Sequence, residues 1–148
     1  MKGTIIFDLE GTLIDSSSSA TPHMFISEKT LQELQSSYQL ALVTGASKEH
    51  VQEVFQKTFL GEYFSWDFVV TRDDVPEPKA TGKPFLFLLE KDALKPYVLL
   101  GDSEGDRLGS AIADIPFIYI DTAQMLLQKE TGLEMYIDEA KKYLIGTD

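Results

Sequence analysis

Two carboxylates, Asp8 and Glu10, stand one residue apart at the end of a short run of β-branched and aromatic residues, within GTIIFDLEGTLIDS at residues 3–16. One carboxylate of such a pair can attack phosphorus, and the other can give and take a proton. Farther on, Thr44 and Gly45 offer a hydroxyl and a main-chain N–H able to hold phosphoryl oxygens. GDSEGD at residues 101–106 adds Asp102 and Asp106. Two more carboxylates suit Mg²⁺, a hard ion that prefers oxygen ligands. The remaining need is a cation to neutralise developing charge, and two lysines compete for it. Lys83 is preferred to Lys79 because Pro84 fixes it at a helix entry, whereas Lys79 lies in a loop rich in Asp, Glu and Pro.

These residues are far apart in sequence, so the fold must gather them. Residues 4–7 read as a strand buried on both faces, as in the middle of a parallel sheet. Further strands are predicted over residues 39–44, 66–71, 97–100 and 116–120. Ser27 and Ser47 are placed to cap helices, and Val51, Val54, Phe55 and Phe59 recur at helical spacing. Another helix begins at Lys83-Pro84 and carries Phe85, Leu88, Leu89 and Leu94. A small-residue helix follows GDSEGD, and two more, broken near Gly132, fill residues 122–144. Residues 15–22 and 72–82 read as polar loops. His23, Met24 and Phe25 read as a loop anchored in the core.

Strands alternating with helices mean βαβ units and a parallel sheet. The expected fold is α/β: a three-layer, Rossmann-like single domain over residues 1–148, with a five-stranded parallel sheet and helices on both faces. In such a sheet the carboxyl ends of all strands lie on one edge, where ligands bind. Asp8 and Glu10, Thr44 and Gly45, and Asp102 and Asp106 follow three of the five strands.

Composition narrows the function classes. The 148 residues carry a formal net charge of −11, which argues against binding nucleic acid or an anionic membrane. Without cysteine, thiolate metal sites and cysteine nucleophiles are excluded. No apolar run approaches the ~20 residues of a membrane span, and the N-terminus lacks a signal pattern, so a cytoplasmic protein is expected.

DLEGTLIDS, LVTGAS, GKPFLFLL and GDSEGD, in that order, resemble the four motifs of the haloacid dehalogenase superfamily. The resemblance spans about residues 3–113. Members are mostly Mg²⁺-dependent phosphatases with a Rossmann-like sheet. The resemblance implies Asp8 as the nucleophile of an aspartyl-phosphate and Glu10 as general acid and base, its main-chain carbonyl on the metal. Thr44 matches the hydroxyl on the phosphoryl group, and Lys83 the charge-stabilising lysine. Asp102 matches a metal ligand, and Asp106 a group holding metal, its waters or the lysine. The family usually has Asp where Glu10 stands; the enolase-phosphatase branch shares D-x-E-G-T, and the dehalogenase branch has no carboxylic acid there.

Many relatives insert a helical cap after the first motif or later. Here residues 16–27 leave room for a loop only, and residues 46–82 are filled by one helix and one strand, so a capless member is expected. The open site suits a large substrate that supplies its own lid, or a homo-oligomer in which a neighbour covers it; the expected substrate is phosphorylated, a small molecule or a phosphoprotein. The alternative is a binding or regulatory domain that keeps the fold with little turnover.

Overall fold

The computed structural model describes residues 1–17, 21–127 and 132–145. In chain order the elements are strands β1 (Thr4–Phe7), β2 (Ile14–Asp15) and β3 (His23–Met24), helix α1 (Glu28–Gln35), strand β4 (Gln39–Val43), helix α2 (Lys48–Lys57), strand β5 (Val69–Val70), helix α3 (Lys83–Leu89), strand β6 (Tyr97–Gly101), helix α4 (Glu104–Ile112), strand β7 (Phe117–Tyr119) and helices α5 (Thr122–Leu126) and α6 (Glu134–Leu144). Five strands form one parallel sheet in the order β5-β4-β1-β6-β7, the expected α/β architecture.

The chain leaves β1 for β4 and β5 on one side, then returns for β6 and β7 on the other. The direction of winding thus reverses at β1, and such a reversal opens a crevice at the carboxyl ends of the strands. The apolar run of β1 follows from burial on both faces. Ile5 and Phe7 pack with Leu31 and Leu34 of α1, Val51 and Val54 of α2, and Ile137 and Leu144 of α6. Ile6 points to the opposite face, toward the cluster holding Phe85 and Leu88 of α3.

Serine caps start two helices just past the sheet edge. Ser47 Oγ accepts from the His50 N–H at 3.1 Å, and Ser103 Oγ accepts from the Asp106 N–H at 3.1 Å. Each hydroxyl satisfies a donor that the helix start would otherwise leave open. His50 and Asp106 are thereby fixed in the first turns of α2 and α4.

Several boundaries differ from the sequence reading. Trp66–Phe68 is a 3₁₀ turn capped by Ser65, so the strand expected over residues 66–71 shrinks to β5. The helix expected to reach Leu94 ends at Leu89. The segment expected to be a loop at residues 15–22 begins and ends in a short antiparallel pair, with Ile14 opposite Met24 and Asp15 opposite His23. Phe25, just beyond, is fully buried, as a loop anchored in the core requires. The described residues between β1 and α1 hold only this strand pair, and no cap domain. No helix among the described residues is long and apolar enough to cross a membrane.

Candidate active site

Asp8 follows β1 directly, and its N–H still donates to the Leu100 carbonyl of β6 at 3.0 Å, so the ladder fixes its main chain. Its side chain is nearly buried. Oδ1 accepts from the Leu9 N–H at 2.8 Å and from Lys79 Nζ at 2.7 Å. The chain then winds a single turn in which the Leu9 carbonyl accepts from the Leu13 N–H at 3.0 Å. Gly11 sits in this turn at φ +81, and a Cβ there would lie 2.0 Å from Asp102 Oδ2. Only glycine combines that left-handed backbone with so close an approach. Thr122 at the start of α5 closes the contact, donating to the Gly11 carbonyl at 2.7 Å with Asp102 Oδ2 at 3.3 Å.

The lysine of this site is Lys79. Its Nζ bridges Asp8 Oδ1 at 2.7 Å and Asp106 Oδ1 at 2.9 Å, and the side chain is 13% exposed. Lys83, chosen from the sequence as catalytic and substrate-binding, instead points its ammonium at Glu77 at 3.7 Å, with its side chain 62% exposed. The reason is local. Lys79–Thr81 forms a 3₁₀ turn, and Gly82 reverses the chain at φ 78 before α3 begins. That turn packs on α4 where Gly109 stands, and a Cβ there would be 2.0 Å from the Lys79 carbonyl. The turn aims Lys79 inward and leaves Lys83 outside, so Pro84 does start the helix but does not position the site's cation.

Thr44, Asp102 and Asp106 stand at the same edge. Thr44 is buried, and its Oγ1 accepts from the Ala46 N–H at 3.1 Å, leaving its own O–H to donate. Gly45 borders open space. Asp106 is fully buried, with Oδ1 on Lys79 and Oδ2 accepting from Ser103 Oγ at 2.7 Å. Glu10 lies apart from the other carboxylates. Ser16 Oγ donates to its Oε1, the Ser16 N–H reaches Oε2 at 3.3 Å, and His50 Nε2 lies 3.6 Å from Oε1. His50 and Thr122 escaped the sequence reading, which took Ser16 only to shape the loop after the first motif and set Lys79 second to Lys83. Only Lys79 carried a usable signal, the Gly105 and Gly109 pair one helical turn apart that lets another segment approach α4.

Burial sets the electrostatics. It raises the Asp8 carboxyl from 3.8 to about 6; Lys79 opposes the rise and Asp102 adds to it. Burial also raises Asp106, helped by the Asp8 charge and opposed by Lys79 and Ser103. For Lys79, burial favours the neutral amine, but Asp8 and Asp106 outweigh it and hold the ammonium above its ordinary value. Asp8, Asp102 and Asp106 each offer one carboxylate oxygen, all within 4.8 Å of one another. Three carboxylates against one ammonium leave two negative charges. An all-oxygen donor set lacking two positive charges fits a hard divalent cation such as Mg²⁺. Because both Asp106 oxygens are already engaged, Asp8 and Asp102 are the better placed ligands.

Residues 23–120 match the family model of the haloacid dehalogenase-like hydrolases, a match that begins beyond Asp8 and Glu10. No curated protein matches the chain by sequence. Solved structures share its fold. A hydrolase of the same superfamily, subfamily IA, variant 1, from Geobacter sulfurreducens is 21% identical, with a TM-score of 0.65 over 79% of this chain and 88% of that one. A haloacid dehalogenase-like hydrolase from Streptococcus pneumoniae is 18% identical, with a TM-score of 0.68 over 93% and 98%. A mutant of CbbY from Rhodobacter sphaeroides, solved with xylulose-1,5-bisphosphate, is 15% identical, with a TM-score of 0.69 over 80% and 86%.

Proposed function

The chain belongs to the haloacid dehalogenase-like hydrolases, and from that premise we propose that it is a Mg²⁺-dependent phosphomonoester hydrolase working through an aspartyl-phosphate on Asp8. The observation that supports this most is the Lys79 bridge between Asp8 and Asp106, at 2.7 and 2.9 Å, beside Asp102. It ties a carboxylate at the end of the central strand to a fixed cation, which is what a phosphoryl-transfer nucleophile needs.

Asp8 and Asp102 would hold the Mg²⁺, together with the main-chain carbonyl of Glu10. Bound there, the ion supplies positive charge against the phosphoryl oxygens. The Leu9 N–H and Lys79 fix the rotation of the Asp8 carboxylate, so that it meets phosphorus without reorganising. Thr44 Oγ1 and the Gly45 N–H bind nonbridging oxygens. As the Asp8 oxygen–phosphorus bond forms and the ester P–O bond breaks, Glu10 gives its proton to the leaving oxygen. Glu10 then takes a proton from the water that attacks the phosphorus, and phosphate departs with Asp8 restored. The substrate we favour is a phosphorylated small molecule, supported by the sugar bisphosphate in the similar CbbY structure.

Steady-state hydrolysis of an aryl phosphate tests the proposal, with Mg²⁺, with a chelator and with Asp8→Asn. Turnover that needs Mg²⁺ and vanishes in the variant is expected. Binding of Mg²⁺ and trifluoroberyllate with no hydrolysis of any ester would instead make the chain a phosphate-binding domain.

A further inference from the structure

Glu10 has one methylene more than the aspartate usual at its position, and therefore one more rotatable bond to restrain. An unrestrained Glu loses up to ~2 kcal/mol of rotamer freedom when it must adopt one geometry, and a reacting group about 1 Å out of place can cost on the order of 100-fold in rate. The protein restrains this one from two separate segments. Ser16 grips both carboxylate oxygens, Oε1 by its hydroxyl and Oε2 by its N–H at 3.3 Å. His50, fixed in the first turn of α2 by the Ser47 cap, brings Nε2 to 3.6 Å from Oε1. The grip rests on a built turn. Ser16 follows β2, and Asp15 Oδ1 accepts from the Ser17 N–H at 3.0 Å and from Ser17 Oγ at 2.6 Å. The Glu10 side chain remains 43% exposed, so the held carboxyl stays accessible from solvent.

We infer that Ser16 and His50 are positioning residues that aim the Glu10 carboxyl at the leaving oxygen, and that together they accommodate glutamate in place of aspartate. The inference rests on the proposed roles of Asp8 and Glu10. In the first transfer the ester P–O bond breaks and the Glu10 proton moves to the departing oxygen. A poor leaving group depends on that proton, whereas a nitrophenolate departs without it. An aspartate at this position is too short to use the same supports.

The test compares kcat/KM, which reports transfer to Asp8, for glycerol 2-phosphate and p-nitrophenyl phosphate with Mg²⁺. General acid catalysis contributes roughly 100- to 10,000-fold. Ser16→Ala and His50→Ala should each lose about 10- to 100-fold on the alkyl ester and under about 3-fold on the aryl ester. Ser16→Thr, which keeps the hydroxyl, should recover most of the Ser16→Ala loss. In a Glu10→Asp background, His50→Ala should cost nothing further. Equal losses on both esters, no loss on either, or an undiminished His50→Ala penalty in the Glu10→Asp background would overturn the inference and leave the phosphatase reading standing. Failure of the unaltered protein to hydrolyse either ester would overturn both.

Discussion

Replacing Lys79 with methionine keeps the length of the side chain and removes its charge. Two hydrogen bonds are lost, to Asp8 at 2.7 Å and to Asp106 at 2.9 Å, among side chains that are 13%, 10% and 0% exposed. Solvent screens so little there that each contact is worth about 1.5–3 kcal/mol net. The pair sums to roughly 3–6 kcal/mol, in line with the about 3–5 kcal/mol lost when a buried ion pair is broken from one side. A domain of this size has on the order of 5–15 kcal/mol in all, so Lys79→Met should remain folded but much weakened. Urea unfolding in chelator measures the loss directly. The loss should shrink as pH falls from 7 toward 5. Without Lys79 the Asp8 carboxyl rises above its present value of about 6. A carboxyl whose folded-state pKa exceeds its unfolded value contributes stability at low pH and loses it as pH climbs through the folded value. The rate on an aryl phosphate should fall about 100- to 1,000-fold, as when a preorganised transition-state donor is removed. Lys83→Met is the control: its pair with Glu77 is a surface pair, worth about 0–1 kcal/mol, and activity should stay within about twofold. A Lys79→Met loss below about 1 kcal/mol, or one matched by Lys83→Met, would refute the reasoning.

In chelator, Asp8→Asn should stabilise the fold by on the order of 2–3 kcal/mol at pH 8 and not at pH 4, because at pH 8 the native chain must ionise a carboxyl raised from 3.8 to about 6; equal unfolding shifts at both pH values would count against the burial argument. Asp102→Asn should weaken Mg²⁺ binding by at least about tenfold in calorimetry, whereas Asp106→Asn, whose carboxylate is taken up by Lys79 and Ser103, should weaken it by less; the reverse order would show that Asp106 is the ligand. Thr12 is fully buried, and its Oγ1 has no hydrogen-bond partner among the described residues. Thr12→Val should therefore raise stability by about 1 kcal/mol in thermal unfolding, and a loss of that size would reveal a partner.

The sheet was legible because each central strand must bury both faces, which writes unbroken apolar runs such as Ile5-Ile6-Phe7 and Val98-Leu99-Leu100. Asp8, Thr44 and Asp102 were legible for a related reason: each stands beside a strand end, Asp106 follows in the first turn of the next helix, and parallel strands bring their ends to one edge. The lysine was not. Strand ends fix positions along the chain, but Lys79 reaches the site through a 3₁₀ turn ended by a left-handed glycine and seated on Gly109. That is a contact between segments, and its only trace in sequence is two glycines four apart. Trp66 misled in the opposite way. An aromatic before β-branched residues suggested a strand, but Ser65 capped a turn locally and left the indole partly in water. Ser16 ends the first motif and His50 lies just past the second, yet nothing in their types separates a support for Glu10 from ordinary polar residues.

The site divides around Asp8. On one side Lys79 and Asp106 form a closed, buried pair in which every polar atom has a partner, and α4 fixes it through the Ser103 cap. On the other, Asp102 is held near Gly11 and Thr122 and adds its charge to the pressure raising the Asp8 carboxyl. The lysine side is electrically complete as it stands, whereas Asp102 has no ion-pair partner among the described residues. With burial and Asp102 raising it and Lys79 holding it down, the Asp8 carboxyl is half-protonated near pH 6, a poor state for a nucleophile. A divalent cation held on the Asp102 side would offset the repulsion and lower the carboxyl, so under the proposed mechanism metal binding would also ionise Asp8. Under that proposal Lys79 orients Asp8 and the cation would ionise it, so neither could substitute for the other.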